Sequence, residues 1–154
     1  MCNWPDASAM GKLVELASRD QDQEIRRMAL AALIRVAPLP DGRTPADRLQ
    51  AVRTVMTLCA TDKEKNALLK RTSAVRSVDA LRFLLPYLDQ PAHAEPACEA
   101  VVELAHHRGL REPNKSEFDQ ALDKVIQTSK DPTLIDRANR YKKGQTWVRP
   151  AAAN

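Results

Sequence analysis

Apolar residues recur with a helical period along almost the whole chain. Met10, Leu13, Val14 and Ala17 fall at i, i+3, i+4 and i+7, one face of a 3.6-residue repeat. Ile25, Met28, Ala29, Ala32, Leu33 and Val36 continue that spacing, and Leu30 and Ile34 add a second strip beside it. A helix with two such strips is expected to be buried on two sides. Leu49, Val52, Met56 and Cys59 mark a third stripe, Leu68, Leu69, Thr72 and Val75 a fourth, and Val78, Leu81, Leu85 and Leu88 a fifth. Ala94, Ala97, Cys98, Val101, Val102 and Ala105 form the sixth. Phe118, Ala121, Leu122 and Val125, then Leu134, Ile135, Ala138 and Tyr141, complete the series. No stretch alternates with period two for long enough to make a strand. The fold class is all-α, with about eight helices of about 10–17 residues.

The polar residues between stripes carry boundary chemistry. Thr44, Pro45 and Asp47 place a hydroxyl at an N-cap, a proline at the first helical position and a carboxylate two residues later. Thr61 to Glu64 reads as a capping box, and so does Ser116 to Asp119. Asp131-Pro132 is a cap followed by a first-position proline, Asp22 or Asp20 is expected to cap the second helix, and Ser77 the fifth. Breaks fall at residues 38–42, 89–91 and 109–114 and at Gly144. Pro86 lies inside a stripe and is expected to kink the fifth helix near its end, whereas Pro96 fits the first turn of the sixth.

Four segments share one layout, in which an apolar helix end leads through an acidic or polar turn to an alanine- or leucine-rich helix. Their turn acids Asp20, Asp62, Asp89 and Asp131 are 42, 27 and 42 residues apart. Setting aside insertions at 38–44 and 108–115 brings the period to roughly 30–40 residues, the size of a helix-pair repeat. The run from Asp20 to Ala29, with Ala32 and Leu33, resembles the turn and second helix of a HEAT repeat. It has a turn acid, a β-branched residue (Ile25), a basic residue (Arg26) and small residues at helical spacing. Residues 84–105 look like a second copy, with Asp89, Ala94, Ala97 and Ala100, and residues 124–141 a shorter one, with Asp131, Leu134, Arg137 and Ala138. Residues 61–75 have leucines where alanines are expected.

Over most of residues 10–143 the chain is thus similar to the armadillo-like HEAT-repeat family, in particular to short HEAT arrays attached to larger bacterial proteins. The resemblance implies a right-handed α-solenoid of about four antiparallel helix pairs, first helices convex and second helices concave. In such a stack the β-branched residue and the alanines pack between repeats. It further implies a noncatalytic protein-interaction or scaffolding module of a larger protein, binding a protein partner through concave polar residues such as Arg27, Arg35, Lys70, Glu99 and Glu103. A single domain over residues 1–147 with a flexible tail over 148–154 is expected.

Composition narrows the class further. The 154 residues are 44% hydrophobic and 29% charged. Such hydrophobic content excludes a disordered chain, and the charges leave no apolar run of about 20 residues, so no membrane insertion is expected. A chain this long buries about 68–70% of its unfolded surface and needs no metal or disulfide to fold. Residues 1–12 lack the basic-then-apolar pattern of a signal peptide. Cys2, Cys59 and Cys98 are widely spaced with no CxxC; Cys59 and Cys98, set in apolar stripes, read as buried thiols acting as small hydrophobes.

The sequence pI of about 9.1 raises the question of a nucleic-acid partner. Local counts reshape it. Residues 83–136 hold 5 basic and 10 acidic side chains, residues 137–154 hold 5 basic and no acidic ones, and without that last segment the chain carries −1. Arg137, Arg140, Lys142, Lys143 and Arg149 either meet an acidic partner or stand at the C-terminus of the last helix and in a tail. The macrodipole favours the second reading. Arg26, Arg27, Lys63, Lys65, Lys70 and Arg71 keep an alternative open, a HEAT-like domain that binds nucleic acid through basic concave residues.

Catalytic motifs are absent. Four glycines form no P-loop or Rossmann pattern, and neither GxSxG nor HExxH occurs, so no cofactor and no catalytic residue is assigned. His106 and His107 are adjacent, which on a helix turns them about 100° apart, away from a shared metal. His93 lies in a proline-flanked turn and reads as solvated. Glu95, Glu99 and Glu103 recur every four residues, as do Asp119 and Asp123, either as an acidic stripe facing a basic partner or as an ordinary polar face; the second is preferred. Phe83, Tyr87 and Trp147 are too dispersed to stack bases. An enzyme resembling the HEAT-like bilin lyases or DNA glycosylases would need a concave aromatic beside a carboxylate, and no such pairing stands out.

Overall fold

The apolar stripes fold as helices in a computed structural model that describes residues 7–151. Helix α1 spans Ala7–Arg19, α2 Gln23–Val36, α3 Pro45–Leu58, α4 Asp62–Thr72, α5 Val78–Leu88 and α6 Ala94–His106. A one-turn helix α7, Arg108–Arg111, runs through a 3-10 turn, Glu112–Asn114, into α8, Lys115–Thr128; α9 is Pro132–Lys142. Among the described residues there is no strand, so the chain is all-α. Cys2 lies outside the described residues.

The capping chemistry explains most of the starts. The Asp22 carboxylate accepts the Glu24 and Ile25 amides, Thr44 accepts the Asp47 amide, Ser77 the Ala80 amide and Asp131 the Thr133 amide. Thr61 and Glu64 form the reciprocal box, each side chain serving the other's backbone amide. Ser116 corrects the pattern. It is the second residue of α8, not its cap, because the one-turn helix and the 3-10 turn deliver the chain already coiled. The insertion at 108–115 is therefore helical rather than a loop. At the other end of α9, Gly144 adopts φ +71° and lets the Gln145 amide reach the Arg140 carbonyl at 2.9 Å, a left-handed glycine stop.

Helices pack as α1 on α2, α3 on α4, α5 on α6 and α8 on α9. The second members also meet in chain order, α2 with α4, α4 with α6 and α6 with α9, and the first members follow suit, α1 with α3, α3 with α5 and α5 with α8. One core runs between these two layers, with Leu33, Leu68, Leu69, Leu81, Leu84, Leu104, Phe118 and Leu122 fully buried. The sixth stripe is buried at every predicted position. Cys59 and Cys98 are buried as free thiols.

Two further expectations need correction. α2 is not buried on two sides: Ala29, Leu30, Leu33 and Ile34 face the core, while Ile25 is 41% and Met28 67% exposed. His93 is not solvated. It is 6% exposed, with Nδ1 2.7 Å from the Asn66 amide oxygen and Nε2 3.5 Å from Asp62, because α4 packs against α6 and brings those groups over its ring.

Candidate functional site

The C-terminal ends of α2, α4 and α6 converge on a depression of about 520 Å³. Arg35 reaches it from the last turn of α2, Arg71 from the last turn of α4 and Arg76 from the turn that follows. His107 lines it from the residue that ends α6, and Glu103 from one turn earlier. Cations at helix C-termini are the expected complement of the macrodipole. What is unusual is that three such ends share one hollow.

Arg48 joins them from α3. Thr44 caps that helix and Pro45 opens it, which fixes Arg48 one turn inside, pointing toward the turns that close α2 and α4. It is 7% exposed, and its Nη1 donates to the Pro38 carbonyl at 3.1 Å and the Ala74 carbonyl at 3.3 Å. Nε is buried without an acceptor. Arg43, outside the hollow, holds Asp41 and donates to the Val36 and Ala37 carbonyls, so the end of α2 is closed by a second guanidinium.

The arginines of this hollow are without a carboxylate partner, as are Arg26, Arg27, Arg53 and Arg108 elsewhere on the described surface. Among the described residues, Arg35, Arg48, Arg71 and Arg76 have no carboxylate within 4.0 Å, whereas Arg43, Arg82, Arg111, Arg137 and Arg140 each sit in an ion pair. Glu103, the acid in the lining, is already held by Arg137 at 2.6 Å. Each helix end contributes roughly half a negative charge. Four full guanidinium charges outweigh three such ends, and the hollow stays positive. The His107 imidazole feels this: burial presses its pKa below the usual histidine value, and the charges of Arg76 and His106 press it further.

Of the five residues singled out for partner binding, Arg35 and Glu103 line the depression. Lys70 and Glu99 are paired with each other at 3.0 Å across α4 and α6, and Arg27 stands exposed on α2. Glu95, Glu99 and Glu103 do not form a free acidic stripe. Glu95 accepts from the Ser129 hydroxyl and the Lys130 amide, Glu99 meets Lys70 and Glu103 meets Arg137, so all three tie α6 to its neighbours. Asp119 pairs with Lys115 and Asp123 with Lys142. Arg137 and Arg140 of the basic end are likewise paired, with Glu103 and Asp136, and the Arg137 guanidinium lies 4.6 Å from the Trp147 ring centroid. The sequence reading missed Arg48, Arg76 and His107.

No group of three or more His, Cys, Asp or Glu residues able to hold a metal ion occurs among the described residues. No described helix is long and apolar enough to cross a membrane. No protein-family model, curated protein or solved structure matches the chain, so the reading of the hollow rests on its own chemistry.

Proposed function

We propose that the chain is a short HEAT-like, armadillo-like module, a right-handed solenoid of four helix pairs, that holds a protein partner without catalysis. The chain-order contacts of α2, α4, α6 and α9 on one side and of α1, α3, α5 and α8 on the other support the architecture. The observation that carries the function is the cluster of uncommitted arginines at the ends of α2 and α4, beside carboxylates that are all engaged elsewhere. Cations left unpaired in one hollow attract an acidic partner and orient its approach.

The test is affinity capture with the unaltered chain, followed by titration of the purified partner against an Arg71→Glu/Arg76→Glu variant. A loss of tenfold or more in affinity is expected; equal affinity places the working surface elsewhere. The same cluster favours a second reading, nucleic-acid binding, which predicts duplex-DNA affinity falling steeply with salt as counterions are released. Absence of binding at low salt removes it.

A further inference from the structure

We propose that the arginine-lined depression is a binding site for a single phosphate monoester. This narrows the interaction-module reading, on which it rests, to the chemistry of one ligand group.

Three observations carry it. The first is Arg48. A guanidinium has five N–H donors, and burying one without acceptors is costly. Here Nη1 donates to the Pro38 and Ala74 carbonyls, while Nε is buried with no acceptor among the described residues. Arg48 and the two residues whose carbonyls it holds all line the hollow. The second is stoichiometry of charge. A side-chain carboxylate brings one negative charge, whereas a phosphate monoester brings about 1.5 to 2 at pH 7 and three terminal oxygens. Four arginines around one hollow match the second better, because each fork can span two phosphate oxygens.

The third is extent. A nucleic-acid backbone needs a continuous basic track, and here two of the basic side chains nearest the hollow are already neutralised. Lys70 is neutralised by Glu99 and Arg137 by Glu103, and residues 83–136 carry twice as many acids as bases. A volume of about 520 Å³ falls within the roughly 300–1,000 Å³ of small-ligand pockets. The depression therefore takes one phosphoryl group, with Arg48 as the buried anchor and Arg35, Arg71 and Arg76 as the exposed fork. The same chemistry is offered by a phosphorylated side chain of a partner or by a free phosphorylated small molecule.

The experiment is an NMR titration of the full chain at constant ionic strength, following the arginine Nε–Hε and histidine ring signals. The probes are N-acetyl-phosphoserine amide, its unphosphorylated form, inorganic phosphate and a DNA duplex. Saturable shifts are expected for both phosphate probes and none for the unphosphorylated amide. Tighter binding of the phosphoserine probe assigns the group to a partner side chain; equal binding assigns it to a small molecule. The exposed-arginine variant Arg71→Gln/Arg76→Gln, which leaves the buried Arg48 contacts in place, is expected to weaken binding by roughly tenfold or more. Linear, unsaturable shifts up to about 10 mM phosphate, or unchanged affinity in the double variant, overturn the proposal. Preference for the duplex with a steep salt dependence overturns it as well, in favour of a nucleic-acid surface. If phosphate fails while partner capture still depends on Arg71 and Arg76, only the ligand assignment falls; if neither depends on them, the module reading falls too.

Discussion

Glu103 accepts a hydrogen bond from Arg137 Nη1 at 2.6 Å across 34 residues of chain, and its side chain also lines the arginine depression. One carboxylate therefore fastens α6 to α9 while moderating the charge of the hollow beside it. Arg137 is 8% exposed, and its Nε and Nη2 both donate to the Tyr141 hydroxyl at 3.2 Å.

Glu103→Gln separates the two roles. It leaves a buried guanidinium without its counter-charge, and because Glu103 is itself half exposed the expected loss of stability is about 1–2 kcal/mol. Phosphate affinity should rise several-fold in the same variant. Urea unfolding and a phosphate titration read the two effects, and a variant neutral on both counts contradicts the assignment.

The His107 pKa is held below 6.5 first by burial, then by Arg76 and His106, with Glu103 opposing them. Its neutral form is the one the fold prefers. Its contribution to stability is therefore complete above the unfolded value and fades as pH falls through the lower folded value. Ring-proton NMR should place the midpoint below 6.5. Adding phosphate, which faces His107 together with Arg35, Arg48, Arg71 and Arg76, should raise it; a midpoint insensitive to phosphate would count against the site.

Burial pushes the Cys98 thiol up to about 12 and the Cys59 thiol up to about 11, with Glu95 and Glu64 adding to the effect. Both should resist alkylation at pH 8 in the folded chain. In a Cys2→Ser background a thiol reagent is expected to label nothing until denaturant is added, and then two sites. Because the unfolded thiols ionise first, stability contributed by these groups is intact below about pH 9 and declines above it.

Thr61→Ala removes one half of a reciprocal cap and should cost about 1 kcal/mol. Ser116→Ala, inside α8 with no capping bond, should fall within about 0.5 kcal/mol of the parent. Thermal or urea unfolding of the two variants side by side checks the contrast.

The buried faces were legible because a 3.6-residue period reports which residues share a side. Ala97, Cys98, Val101, Val102 and Ala105 all point inward as read. Periodicity does not say how far along a helix its packing extends, and so Ile25 and Met28, at the start of a strip whose Ala29 and Leu33 are buried, were assigned to a core they do not reach. His93 could not be placed without Asn66, 27 residues away, which only the packing of α4 on α6 brings to it. Arg48 was invisible for a related reason. A charged residue in a first helical turn reads as solvated, and its acceptors lie on turns that tertiary structure gathers. Arg35 and Glu103 sit in periodic polar positions and were picked out; Arg76 and His107 lie past helix ends, where the period has no phase to offer.

Helix α6 touches α4, α5, α8 and α9, and Glu99, Glu95 and Glu103 fasten it to α4, to the turn between α8 and α9, and to α9 itself. In a row of stacked units that meet only their neighbours, pieces can be trimmed from an end and the remainder stands. The four pairs here form such a row, and α6 is an interior member that joins the pair before it to the pair after it. Removing or melting α6 strands Leu68 and Leu69 on one side and Phe118 and Leu122 on the other, so a lesion in this interior helix should cost more stability than the same lesion in the terminal α1.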